Sequence, residues 1–474
     1  MKNIRENVRK MYFYMMDPFV FSSFGGRSVP DRSREEPFSE KDPFRETDAD
    51  DMNLMIGEND GIYDAVVIGG GPVGCRAAES ACRNGLSRVL VLEEHPETGS
   101  PVQCAGLLSV SAFREAGLRD DDTCILNRIS GARVFSPSGE CLCLKGKNVM
   151  AYAVSRKLFD RKLAEAAAAA GARFRMKTTV LKTEIVRMKD GASLRKVTAV
   201  SAGNETVFYA RIVIAADGVR SSVARREGFA VPDRIVLAGC QNECLFRPES
   251  PDDVEIYIGS RVPGFFAWAV PLGNETPGIG RIGLAVDPSA AGKDGDVTCA
   301  SACFEKLIRE TPSLKERIGP SSFEFVVGAI PVTPLPKTYG EAFLVAGDAA
   351  GQCKPVSGGG IYTGLKAADI AGKCAAQAVL SGDVSERSLK IYESRWKASF
   401  GKELDFGMKF HRFRRSMTDE EMDILIHEMN DPELLKMITE YGDIDHPSVL
   451  ITKLLFSKHA LKLTKIVGRL IRML

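Results

Sequence analysis

The sequence predicts an α/β (α+β) architecture: a Rossmann-like nucleotide-binding domain built from discontinuous segments, an antiparallel-sheet domain and a helical C-terminal region. Three observations point there. A chain of 474 residues is too long for one small core, so two or more intertwined or sequential domains are expected. Residues 63–95 read as strand, glycine turn, helix and strand. Two later apolar strands, in "ARIVIAADG" and "AFLVAGDAAG", also end in glycine and aspartate.

The bulk composition excludes several function classes. With 44% hydrophobic and 26% charged residues the chain reads as an ordinary globular enzyme, and 63 basic against 62 acidic residues give no reason to expect nucleic acid as a partner. Twelve cysteines include no C-x-x-C pair; Cys141/Cys143, Cys240/Cys244 and Cys299/Cys303 fit neither zinc ribbons nor iron–sulfur loops. With no secretory signal peptide, reduced thiols and a cytoplasmic location are expected. His95, His411, His427, His446 and His459 lie far apart, so no metal site is expected, and no apolar run is long enough to cross a bilayer.

Residues 1–60 come first in order. A basic, aromatic start gives way to an acidic stretch with Pro18, Pro30, Pro37 and Pro43 and little periodicity, which reads as a disordered extension. The alternative is that translation begins at Met52 or Met55.

From Tyr63, "YDAVVIGGGPVGCRAAESACRNGLSRVLVLEEH" is a βαβ unit. Gly69, Gly71 and Gly74 stand at the strand-to-helix turn, where missing Cβ atoms let the backbone approach a pyrophosphate and the helix start offers free N–H groups. Pro72 suits the first helical turn, and Glu93 closes the second strand where a carboxylate accepts from a ribose. The same spacing recurs in "GIGRIGLAV", where Gly278, Gly280 and Gly283 lead into an apolar strand and not a helix, so that match is a decoy. Asp217-Gly218 and Gly347-Asp348 then close two further strands, the second followed by a proline loop, a glycine cluster and a helix. Signals so far apart serve one ligand only if the domain is discontinuous, which is the habit of FAD-binding folds.

On these motifs the sequence resembles the flavoprotein superfamily that includes p-hydroxybenzoate hydroxylase and, within it, the geranylgeranyl reductases, in particular archaeal enzymes acting on digeranylgeranylglycerophospholipids. The likeness runs from about Tyr63 to the C-terminus. It implies FAD as cofactor, with Gly69, Gly71 and Gly74 at the pyrophosphate and Glu93 at the adenosine ribose. Arg156 and Asp160 match the Arg-x-x-x-Asp helix start whose arginine lies near the cofactor. Asp217 and Gly218 match the Asp-Gly motif, and Gly347 and Asp348 the motif whose carboxylate holds the ribityl chain. Pro355 through Gly360, with Gly359 and Gly360, bring backbone N–H groups to the flavin N1/C2 carbonyl edge. Gly351 stands where related hydroxylases carry histidine, as in the reductases.

Two features pull toward the reductases. Cys104, in "PVQCAG", matches the family's P-x-x-C-A-G segment, where the thiol approaches both isoalloxazine and alkene; packing is the other reading for a cysteine there. Pro263, Phe266, Trp268, Val270 and Pro271 resemble the stretch lining the prenyl site, with Phe266 in place of tyrosine and Val270 in place of phenylalanine; an alternating aromatic strand is also a common core element.

The resemblance implies saturation of C=C bonds in geranylgeranyl chains of a membrane lipid, by hydride from reduced FAD and a proton from Cys104 or a water it positions. The electron donor is ferredoxin or NAD(P)H. Two alternatives remain open here: a dehydrogenase of the electron-transfer-flavoprotein:quinone type, and a FAD-containing membrane-binding protein without turnover. The expected FAD-binding segments are 61–115, 150–232 and 330–385, the substrate-binding segments 116–149 and 233–329, and the helical region 386–474. Lys458, Lys462, Lys465, Arg469 and Arg472 fall on one face of the last helix. It is either a basic amphipathic contact with the cytoplasmic membrane surface or a helix docked on its own domain.

Overall fold

The computed structural model describes residues 61–188, 193–231, 234–273, 278–290, 299–455 and 464–473. The extension 1–60 and Lys458 and Lys462 lie outside the described residues. Apolar, β-branched runs form the first sheet. Its order is β17 (Tyr339–Gly340), β18 (Phe343–Val345), β11 (Asn204–Ala215), β1 (Tyr63–Ile68), β2 (Val89–Leu92) and β8 (Arg173–Arg175). β10 (Ser193–Ser201) pairs with β11, and β9 (Thr178–Arg187) with β10. β8, β2, β1, β11 and β18 run parallel, and β1, β2 and β18 are almost wholly buried, as strands covered on both faces must be.

Parallel strands put all their carboxyl ends on one edge. There β1 leads to Gly69, β2 to Glu93, β11 to Asp217 and β18 to Gly347, so residues remote in sequence meet at one place. One face carries α1 (Pro72–Arg83), α2 (Arg156–Ala169) and α4 (Ile361–Ser381). α1 and α4 approach closely through small residues: a Cβ on Gly372 would lie 2.6 Å from the Ala77 carbonyl oxygen.

The second sheet runs β16 (Ile318–Pro331), β12 (Val236–Phe246), β15 (Ile279–Val286), β14 (Ala267–Pro271), β13 (Asp253–Tyr257), β5 (Gly131–Phe135) and β6 (Cys141–Lys145). It is antiparallel except for the β13–β5 pair. Residues 278–283 lie at and in β15, so the decoy glycine spacing is strand. Strand alternation sorts the faces: Cys240, Cys244 and Phe246 pack with Phe304 and Leu307 of α3 (Ala300–Glu310), while Gln241 and Glu243 point the other way. A third sheet, β3 (Leu107–Ser109), β7 (Ala151–Val154) and β4 (Ile125–Ile129), is small.

The C-terminal region is helical: α5 (Glu386–Trp396), α6 (Lys402–Arg415), α7 (Asp419–Met429), α8 (Pro432–Tyr441), α9 (Pro447–Leu455) and α10 (Thr464–Met473). Thr418 and Glu421 form a capping box at the start of α7, and Asp431 caps α8. Of the two arrangements open for the tail, α10 is docked. Ile466 and Leu470 are buried with Phe413 of α6, and Arg469 donates to Glu421 at 2.6 Å. Ile471 and Arg472 stay exposed.

Candidate active site

The first turn of the βαβ unit is fixed by backbone proximity. Gly69 has φ +101°, and a Cβ there would stand 2.4 Å from the Ala216 carbonyl oxygen, at the entry to Asp217; one on Gly74 would come 1.8 Å from the Gly69 carbonyl oxygen. Gly71 differs. A Cβ on it meets nothing within 4 Å, yet it precedes α1, whose first N–H groups have no side-chain cap. Open space facing uncapped N–H groups is what a pyrophosphate fills. Glu93 accepts from the Gly70 N–H at 2.6 Å and from the His95 N–H at 2.8 Å, and so fixes the turn's far side.

Gly347 and Asp348 lie against the same turn. A Cβ on Gly347 would be 2.8 Å from Val73 Cγ2, and one on Gly360 2.8 Å from Asp348 Oδ1. Burial raises the Asp348 carboxyl above its ordinary pKa, against the opposing pull of Arg156 and Arg234. Among the described residues nothing donates a hydrogen bond to that carboxylate; Arg234 reaches its backbone oxygen instead, at 2.8 Å. A half-buried acceptor without a donor suits a polyol such as the ribityl chain. Asp217 is engaged by Ser221 Oγ at 2.8 Å, with burial raising its pKa, and Gly218 borders open space. The loop before α4 is braced from below, since Lys354 pairs with the buried Asp445 and donates to the Ile444 carbonyl at 3.1 Å. The residues present therefore fit FAD.

Cys104 is half-buried beside this edge, and its sulfur accepts the Gly106 N–H at 3.3 Å. Arg156 lies against the thiol and forks onto Asp160 at 2.9 and 3.0 Å. Burial works against the guanidinium's charge, but the Asp160 carboxylate and then the Cys104 sulfur more than restore it, raising its pKa. The second sheet grips the loop's backbone: Gln241 Nε2 donates to the Cys104 carbonyl at 3.4 Å, and Arg281 Nη1 to Ala105 and Val154 at 3.1 and 2.9 Å. Arg281 is itself held by Glu243 at 2.9 Å. Gly106, at φ +70°, is required here, because a Cβ would fall 2.2 Å from Arg281 Nη1.

Gln241 also ties in the aromatic wall, accepting from Trp268 Nε1 at 2.9 Å. Phe265 and Phe266 stack at 4.3 Å, and Phe266 meets Trp268 edge-on at 6.3 Å, with Ile330 and Met408 in the same apolar cluster. A Cβ on Gly358 would be 3.2 Å from both Phe265 and Ile330, so the wall abuts the glycine loop. Arg414 of α6 stands 4.4 Å over the Phe265 ring and donates to the Val356 carbonyl at 3.1 Å. Pro271 is not brought to this group. Two residues along β14 from Ala269, it is on the face opposite Trp268, buried, with its carbonyl accepting from Asn127 at 3.0 Å.

Gln241, Arg281 and Arg414 were not singled out in the sequence. The one available signal was charge in an apolar strand: Glu243 and Arg281 face each other across β12 and β15. Among the described residues no group of three or more histidine, cysteine or acidic side chains could hold a metal ion.

Comparison with known proteins shows the family. A family model described as FAD binding domain matches residues 63–406. Digeranylgeranylglycerophospholipid reductase 2 of Methanothermobacter thermautotrophicus is 37% identical over 376 residues, covering 78% of this chain and 93% of that one. The digeranylgeranylglycerophospholipid reductase of Methanocaldococcus jannaschii is 35% identical, over 78% of this chain and 91% of its own. The crystal structure of a geranylgeranyl bacteriochlorophyll reductase-like protein from Thermoplasma acidophilum shares the fold, with a TM-score of 0.74 at 24% identity over 87% of this chain and 99% of that one. The chain belongs to the FAD binding domain family and, within it, to the family of digeranylgeranylglycerophospholipid reductases: it is an oxidoreductase whose cofactor is FAD.

Proposed function

We propose that this protein saturates C=C bonds in the geranylgeranyl chains of a membrane glycerophospholipid. The observation that supports the reading is that Gln241 accepts from Trp268 and donates to the Cys104 backbone carbonyl, so that the aromatic wall and the Cys104 loop share one hydrogen-bonding side chain. The relatives favour neither a quinone-type dehydrogenase nor a binding protein without turnover.

FAD, when bound, supplies hydride. The chain's own residues do the rest. An isolated alkene has no carbonyl to stabilise developing charge, so rate must come from fixing it in a dry, shaped channel, for which Phe265, Phe266 and Trp268 provide the wall. Cys104, or a water it positions, provides the proton at the second alkene carbon. Arg156, bound by Asp160, keeps its charge and holds the thiol's orientation. Gly71, Asp217, Asp348 and the loop ending at Gly360 would hold the cofactor, with ferredoxin or NAD(P)H as the electron donor.

A lipid substrate also implies approach to a membrane from outside. No helix among the described residues is long and apolar enough to span one.

The test is anaerobic. Holoprotein reduced with dithionite and mixed with digeranylgeranylglycerophospholipid should reoxidise while the lipid gains a pair of hydrogens per saturated bond in its mass spectrum. Reoxidation by a quinone, with unchanged lipid, overturns the proposal. Cys104→Ala should retain flavin and lose prenyl reduction; full activity would remove the thiol from the mechanism.

A further inference from the structure

Among the described residues the second sheet ends in β6, which pairs only with β5. Cys141 and Cys143 lie two apart on it, so both side chains share one face, and their sulfurs are 3.5 Å apart. Cys143 is exposed and Cys141 half-buried. Arg133, opposite Cys143 in the ladder, presents its guanidinium to both sulfurs while paired with Glu249. The exposed thiol is the one an external disulfide can reach first. Burial, and then the Cys143 sulfur, push Cys141 up to about 12, leaving it protonated and slow to react first.

We propose that Cys141 and Cys143 form a redox-modifiable dithiol that takes electrons from neither FAD nor substrate but exchanges with small-molecule disulfides. The Cys143 thiolate attacks one sulfur of the external disulfide, forming a mixed disulfide and expelling one thiolate. Cys141 then loses its proton to solvent and attacks Cys143 Sγ, expelling the second thiolate. Net, two protein thiols are oxidised to one disulfide and the external disulfide is reduced to two thiols.

Geometry sets the character of the bond. Residues two apart on a strand have Cα atoms about 6.6 Å apart, near the upper end of what a disulfide spans. Closure therefore contracts the strand, which an edge strand held on one side tolerates best. A bridge closed under such tension is easily reduced, so this one acts as a reversible modification and not as a staple. Contraction would also be felt beyond β6, because Asn430, between α7 and α8, donates to the Cys141 carbonyl at 3.4 Å.

Both cysteines fall on one tryptic peptide, residues 134–145, which makes the test direct. Full-length holoprotein is treated with oxidised glutathione, alkylated, digested and analysed by mass spectrometry. The wild-type peptide should be unalkylated, two hydrogens lighter, and restored by dithiothreitol. In Cys141→Ser the same peptide should instead keep glutathione on Cys143, about tenfold more than wild type at equal exposure. A wild-type peptide that remains doubly alkylated, or that retains glutathione as Cys141→Ser does, overturns the proposal.

Discussion

Arg281 is where a single residue has the widest reach. Its guanidinium binds two carbonyls of the FAD-side chain, Ala105 and Val154, from a strand of the other sheet, with Glu243 as counter-charge. Arg281→Met should cost about 3 kcal/mol in urea unfolding by leaving Glu243 and both carbonyls without partners. With Cys104 no longer held, kcat should fall about tenfold or more while flavin content is unchanged. Gly71 offers the reverse test. Because a Cβ there meets no protein atom, Gly71→Val should leave apoprotein stability within about 0.5 kcal/mol of wild type yet yield colourless protein. Gly74→Ala, aimed at the Gly69 carbonyl, should destabilise the apoprotein by roughly 2 kcal/mol or more. Flavin absorbance and thermal unfolding of the three variants distinguish these cases.

Among the elements, α10 decides how the C-terminus behaves. An amphipathic helix buries its apolar stripe on whatever surface is offered, and here Phe413 of α6 offers one, with the Arg469–Glu421 pair fixing rotation. Leu470→Ala should loosen that helix by about 2–3 kcal/mol and raise amide exchange selectively in residues 464–473. Exchange unchanged by the substitution would mean that the helix is not docked there in solution. The parallel strands of the first sheet behave differently. Their stability is shared over many buried residues, so their ends are rigid platforms for Gly69, Glu93, Asp217 and Gly347.

Across the whole molecule, one buried polar cluster ties α6 to the second sheet. Asp287, at the end of β15, meets His411 and Arg415. Burial alone would raise the Asp287 carboxyl, but hydrogen bonds from His411 and Ser289 and the Arg415 charge outweigh it and hold it at about 2. A carboxyl depressed in the folded state stabilises fully above its unfolded value near 3.8, and that contribution is lost as pH falls through about 2. Burial also lowers the His411 pKa despite Asp287, so protonating it opposes folding as pH drops below the ordinary histidine range. Together they predict stability falling with acid, with an Asp287 share on the order of 2 kcal/mol between pH 4 and 2. Asp287→Asn should flatten that part of the curve in urea unfolding followed against pH.

The amino-acid sequence by itself determined the βαβ unit and the glycines and acids at the strand ends, because each is set by residues close together along the chain, and the order of those separated signals pointed to FAD. Apolar runs set the strands, and the absence of side chains at Gly69 and Gly74 sets the turn. The resemblance of the Cys104 segment led to the expectation of a thiol near the cofactor edge, but not to the groups that grip the backbone of its loop. Gln241 and Arg281 lie more than a hundred positions away, and no local pattern links them to residues 104–106. Nor could periodicity tell which face of β14 would meet the wall, leaving Trp268 on it and Pro271 behind it, or what surface α10 would cover. Those were decided by tertiary structure alone, since long-range partners are chosen by which surfaces the packed sheets bring within reach.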